Sequence, residues 1–229
     1  MEWGRGIRSV LALVSAGAPL AGVICGGWDV REVLLLYWAE NLVIGFWQVV
    51  KMACARRPGE AYFGIFGKLF LIPFFIVHYG GFCAGHGLFI NVLTGNDAGI
   101  GGVMEGAWGW GPLVFVGLLI GVIEASVAVL PATALWAVLA MTVSHAVQTW
   151  QTFFATGRYR KVGAEKLMGE PYKHIVVIHI AIIIGGAAAA AMSNGIPVLI
   201  LLVLGKLGID FRGIWGKEKK GEESATSAD

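Results

Sequence analysis

The chain has 229 residues, 57% of them hydrophobic and only 14% charged, with a formal net charge of +2. A soluble domain carries about 25% charged residues, so the composition argues against a soluble fold. No basic stripe with interleaved aromatics is present, which removes nucleic acid from the expected partners.

Seven apolar segments follow one another, near residues 7–26, 32–54, 62–92, 112–130, 132–156, 172–192 and 196–210. A spanning helix needs about 20 residues. In lipid each backbone polar group must be paired within its segment, so all seven are read as helical, and the period-two alternation of a barrel is missing. The fold class is therefore all-α, a polytopic transmembrane helical bundle with six to seven hydrophobic segments. It forms one domain over 1–216, and the polar tail 217–229 is expected to be disordered. Arg5 and Arg8 ahead of the first run resemble a signal peptide, but no clean A-x-A site follows and a retained first span is preferred. The stretch Ser15–Ala18 leaves cleavage open.

Basic residues fall in four blocks: Arg5 and Arg8; Lys51, Arg56, Arg57 and Lys68; Arg158, Arg160, Lys161, Lys166 and Lys173; and Lys206, Arg212, Lys217, Lys219 and Lys220, with Arg31 alone elsewhere. Positive loops stay cytoplasmic. All four blocks share that side only if the number of crossings is even. Six net crossings are expected in a cell membrane, both termini cytoplasmic, with one segment not crossing fully. One candidate is 112–130, which runs into a bend at Pro131. The other is 62–92, broken at Gly80-Gly81 and Gly85 into two half-helices. Residues 94–111 hold no Lys or Arg and read as an outer loop, with Trp108 and Trp110 at the interface. Residues 157–170 read as a basic cytoplasmic loop, a surface for anionic lipid.

Ionisable side chains within these spans are the main functional signal. A charge at the bilayer centre costs roughly 2.5–3.5 kcal/mol on insertion scales, so such residues usually face an interior. In the second segment Tyr37, Glu40, Asn41 and Gln48 share one helical face. In the third, His78 and His86 are eight residues apart, about 12 Å of rise on a straight helix. They cannot share an ion unless the glycines break it, so His86 is assigned to an outer polar layer with the Asn91–Glu105 loop. Asn41 and Tyr37 are further candidates for a second polar layer. In the fifth, Ser144, His145, Gln148, Thr149 and Thr152 form another polar face. In the sixth, Pro171 opens a helix, His174 is interfacial and His179 lies deeper. His78, His145 and His179 then reach similar depth from three helices, and Glu40 could join from a fourth. Imidazole is the commonest ligand for zinc, copper and iron, and a bundle core can collect one ligand per helix. Each residue is also explicable as a satisfied polar packing group. The isolated Cys25, Cys54 and Cys83 form no C-x-x-C pair and read as packing residues.

The string Tyr37-Trp38-Ala39-Glu40-Asn41-Leu42-Val43-Ile44-Gly45 is followed by His78-Tyr79-Gly80, His86-Gly87, Ser144-His145, Gly157-Arg158-Tyr159-Arg160, Pro171-Tyr172 and His179. Together they resemble an uncharacterised prokaryotic membrane family, domain of unknown function 6498. That family pattern often has an acidic residue where Arg158 follows Gly157 here. The resemblance implies a polytopic membrane protein and no particular catalysis.

Three functions remain open on the sequence. The first is an intramembrane metal or haem protein, redox-active or not, holding zinc, iron, copper or haem through His78, His145, His179 and Glu40. The second is a small proton-coupled transporter. The third is a non-catalytic membrane subunit.

Overall fold

The computed structural model describes residues 30–56, 63–96, 100–172, 175–176, 179–180 and 184. The readings of segments 7–26 and 196–210, most of 172–192, His174 and the tail 217–229 lie outside the described residues. The described part is helical, with no strand among these residues. Helix α1 spans Val30–Cys54, α2 Phe63–Leu93, α3 Ile100–Trp108, α4 Val114–Val129, α5 Ala132–Thr149 and α6 Ala164–Met168. Four of the expected segments thus return within a few residues as α1, α2, α4 and α5. Three helical stretches are long and apolar enough to cross a membrane: Arg31–Cys54, Phe66–Leu93 and Gly111–Val129.

Helix α1 is the central element. Some 61% of its apolar window is buried, against 22% and 17% for the other two. It packs on α2, α5 and α6, while α2 packs chiefly on α1 and α4. Glu32 in its first turn and Lys51 in its last complement the helix dipole.

The α1–α2 seam is held by two reciprocal contacts. Trp38 of α1 lies over Gly87 of α2, where an added Cβ would come within 2.6 Å of the indole. Its Nε1 donates to the Cys83 carbonyl at 2.7 Å. Tyr79 of α2 lies over Gly45 of α1, again 2.6 Å from an added Cβ, and its hydroxyl donates to the Asn41 carbonyl at 3.0 Å. In both cases the acceptor stands four residues before the glycine. The missing side chain opens the helix surface so that a ring can reach a carbonyl otherwise engaged in its own helix. Close approach over small residues is the usual means of helix association in lipid.

Helix α2 runs unbroken through Gly80, Gly81 and Gly85, with Pro73 inside it. Of the two candidates for the incomplete crossing, the break of 62–92 into half-helices is not found. A glycine in a helix costs about 1 kcal/mol relative to alanine, far less than leaving several backbone groups unpaired in hydrocarbon. The glycine pair instead seats α4: an added Cβ would stand 3.3 Å from Leu119 at Gly80 and 3.4 Å from Phe115 at Gly81.

Nor is 94–111 a simple outer loop, since α3 lies within it. It turns through Gly109–Leu113 and runs back along α4. Val103 meets Gly121, 2.9 Å from an added Cβ, and Trp110 covers Gly117. At the same end Asn91 is fully buried. Its amide donates to the Gly87 carbonyl at 2.8 Å and to Ser126 Oγ at 2.9 Å, and its Oδ1 accepts from Asn96 at 2.7 Å. Arg31, the one basic residue outside the four blocks, donates to the Thr94 carbonyl just beyond the end of α2.

Leu130 is extended at ψ 135° ahead of Pro131, and α5 starts at once, as the clash of a proline ring with a preceding helical residue requires. A π-helical turn, Trp150–Phe154, continues α5. The basic stretch beyond it folds under the end of α1. Arg56 N–H donates to the Tyr159 carbonyl at 2.6 Å. Gln48 donates to the Leu167 carbonyl, and Lys68 caps α1 through the carbonyls of Ala53, at 3.0 Å, and Ala55. Glu170 pairs with Arg158 and lies 3.9 Å from Lys51. Met52, Phe75, Phe153 and Leu167 form the apolar core under this cap.

Candidate functional site

The polar face of α1 divides among three neighbours. Glu40 turns to α5, where its Oε1 stands 3.5 Å from His145 Nε2. Asn41 donates to the Tyr37 carbonyl at 2.9 Å, closing on its own helix, while its backbone carbonyl serves Tyr79. Gln48 reaches α6. On α5 the polar face satisfies itself along the helix: Thr152 donates to the Gln148 carbonyl at 2.7 Å, and Gln148 to Ser144 Oγ at 3.4 Å.

The histidines of α2 lie elsewhere. His78 is held among rings. It stacks on Phe74 with centroids 5.2 Å apart and 14° between planes. Phe82 meets it edge-on at 5.1 Å, and Tyr172 is 5.8 Å away. His86 Nε2 lies 2.9 Å from His179 Nδ1. One of these nitrogens must carry the proton that the other accepts. His86 is buried, whereas His179 is exposed. All three line one groove of about 570 Å³, whose other walls are Phe74, Val77, Gly81, Phe82, Gly85, Phe89 and Phe115.

The four residues expected on one centre are therefore not assembled on it. Glu40 and His145 form one pair; His179 joins His86, and His78 sits among Phe74, Phe82 and Tyr172. Among the described residues no group of three or more His, Cys, Asp or Glu side chains could hold a metal ion. His86 also departs from the expected outer layer. It pairs with His179 instead, and Asn91 supplies that layer with Ser126 and Asn96. Tyr37 and Asn41 are joined along α1, where the Asn41 amide donates to the Tyr37 carbonyl. Sequence reasoning missed Trp38 and Asn91 as structural contacts. The available signals were a tryptophan and a tyrosine opposite glycines on neighbouring helices, and an asparagine four residues after Gly87.

These features define a chain whose described residues are helical, with membrane-length apolar helices and a histidine-lined groove. The chain belongs to a family of unknown function, DUF6498, whose model matches residues 3–228. No curated protein matches it, and no solved structure does.

Proposed function

We propose that the protein is a multi-pass integral membrane protein, with six net crossings and both termini cytoplasmic, that binds a small lipid-phase molecule in the groove on α2. The groove carries this reading. Ligand sites are concave spaces of roughly 300–1,000 Å³ with apolar and aromatic walls and a few polar groups. This one has a volume of about 570 Å³, with four phenylalanine rings and three imidazoles around it. A planar ring bearing a hydrogen-bonding oxygen or nitrogen suits such walls, since an imidazole offers one donor and one acceptor. A metal ion or haem held jointly by Glu40, His78, His145 and His179 is not part of this reading, because those residues occupy two places.

Gly85 provides the test. An added Cβ there meets nothing within 4 Å, so Gly85→Leu fills the groove without disturbing the helix seam. Mass spectrometry of small molecules retained by protein purified in lipid nanodiscs should find a ligand on the wild type and not on the variant. A wild type that carries none, or a variant that carries as much, overturns the reading. Reporter fusions at residue 3 and after residue 215 test the topology; opposite faces for the two ends would refute six crossings.

A second reading, proton-coupled transport, is favoured by the Glu40–His145 pair at 3.5 Å. Intramembrane carboxylate and imidazole groups are the usual parts of proton relays. Proton flux into liposomes that survives Glu40→Gln unchanged would count against it. Failure of both readings leaves a non-catalytic membrane subunit with a basic cytoplasmic surface.

A further inference from the structure

Basic residues crowd the end of the bundle where α1 stops, and the fold engages only some of them. Arg158 and Lys51 share Glu170. Lys68 is held by the carbonyls of Ala53 and Ala55. Glu165 and Lys166, side by side on α6, cancel in formal charge. Arg56, Arg160 and Lys161 remain. All three are exposed, and among the described residues none of them has a carboxylate partner. One turn gathers them: Arg56 N–H donates to the Tyr159 carbonyl at 2.6 Å, and Lys161 N–H to the Arg158 carbonyl at 2.9 Å. We propose that Arg56, Arg160 and Lys161 form a headgroup site for one anionic phospholipid, whose acyl chains lie along Phe154 and Trp150. The inference rests on the membrane reading proposed above and not on the groove.

A ladder of rings carries the argument from charge to lipid. Trp150 is 65% exposed. Its ring lies 5.7 Å from that of Phe154, Phe154 lies 6.0 Å from Tyr159, and the Arg160 guanidinium stands 5.1 Å above the Tyr159 ring. Exposed tryptophan belongs at the membrane–water boundary, so the ladder sets Arg160 at headgroup height. Arg160 Nε donates to the Tyr159 hydroxyl at 2.8 Å. That bond orients the side chain and leaves its two terminal nitrogens for a phosphate, which a guanidinium binds as a fork. At the same end Phe66 and Phe70, on either side of Lys68 in α2, are 70% and 68% exposed. Charge alone would serve any polyanion. Of these, a phospholipid presents its phosphate directly above an apolar layer that such rings can enter.

Native mass spectrometry of the detergent-purified full chain, titrated with phosphatidylglycerol or with phosphatidylcholine, tests this. The wild type should bind one phosphatidylglycerol in preference to phosphatidylcholine. Arg56→Gln, Arg160→Gln and Lys161→Gln should each weaken phosphatidylglycerol about fivefold, and the three together should abolish the preference. Arg160→Lys keeps the charge and should retain it. These side chains are exposed and the Arg56 bond to Tyr159 is made by backbone, so the variants should elute as the wild type does. Lys217→Gln, Lys219→Gln and Lys220→Gln combined remove the same charge elsewhere in the chain. If that variant loses the preference as fully, net charge alone is at work and the site is refuted. A wild type with no preference overturns it too, as does glycerol 3-phosphate binding as tightly as the lipid. A chain that stays monodisperse without detergent refutes the membrane reading itself.

Discussion

The two faces of α2 use the same residue types for opposite ends. Toward α1, Phe75, Tyr79, Cys83 and Ile90 are all buried to 4% exposure or less, and Gly87 is a seat filled by Trp38. Away from α1, Phe74, Phe82 and Phe89 are each about 40% exposed, and Gly85 faces empty space. One glycine is present so that something fits against it, and the other leaves room. The difference lies in what the neighbouring helix supplies: α1 brings an indole across to Gly87, whereas α4 brings Phe115 only as far as Gly81.

The largest effect is expected at Gly87. A methyl group there would lie 2.6 Å from the Trp38 ring and 2.7 Å from Val122 Cγ1. Neither neighbour can yield freely, because Trp38 is tied to the Cys83 carbonyl and Val122 is fully buried. Overpacking of this kind costs about 1–3 kcal/mol, and Gly87→Ala should fall at the top of that range. Thermal denaturation in detergent measures it. A melting temperature equal to that of the wild type would show that the seam is loose and the contrast between the faces false.

A somewhat smaller loss is expected where α2 meets α4. Asn91→Leu removes a buried amide with three partners and leaves Ser126 Oγ and the Asn96 side chain without their bonds to it. An unsatisfied buried polar group costs about 1–3 kcal/mol. Asn96 also retains its backbone bond to the residue 91 carbonyl, at 2.8 Å, which every substitution preserves, so the lower half of that range is expected. Hydrogen exchange at residues 91–96 should rise with the substitution. Unchanged exchange would place the anchor of this end elsewhere, with Arg31 on the Thr94 carbonyl and Asn96 on the Ala125 carbonyl among the remaining ties.

How much of this was legible follows from what hydrophobic patterning encodes. The runs 32–54, 62–92, 112–130 and 132–156 each return as helix, and the first three are long and apolar enough to cross a membrane. The shared face of Tyr37, Glu40, Asn41 and Gln48 was legible as a face, since helical periodicity gives direction. It does not give the neighbour: Glu40 meets α5 and Gln48 meets α6, while the Asn41 side chain closes on its own helix. His86 stands eight residues from His78 on α2, and its partner His179 lies far along the chain, where no local spacing can point to it. Helix α3 was missed because its nine residues are too few for a spanning run and include three glycines. The glycines of α2 left a break as one of two candidates for the incomplete crossing, because a sequence shows that side chains are missing and not what occupies the space.

The smallest effect, and the one that sharpens the comparison most, is at Gly85. Alanine there meets nothing within 4 Å, so the overpacking expected at Gly87 has no counterpart two residues away. What remains is the backbone term: glycine inside a helix is less favourable than alanine by roughly 0.5–1 kcal/mol, partly through the greater freedom of the unfolded chain. Gly85→Ala should therefore raise the melting temperature slightly while Gly87→Ala lowers it. A single methyl leaves most of a 570 Å³ groove open, so any bound small molecule should be retained, unlike in Gly85→Leu. If Gly85→Ala instead destabilises the protein as Gly87→Ala does, the space beside Gly85 is filled in the folded protein. The outward face of α2 would then be a second packing seam, and the groove would no longer be available to a ligand.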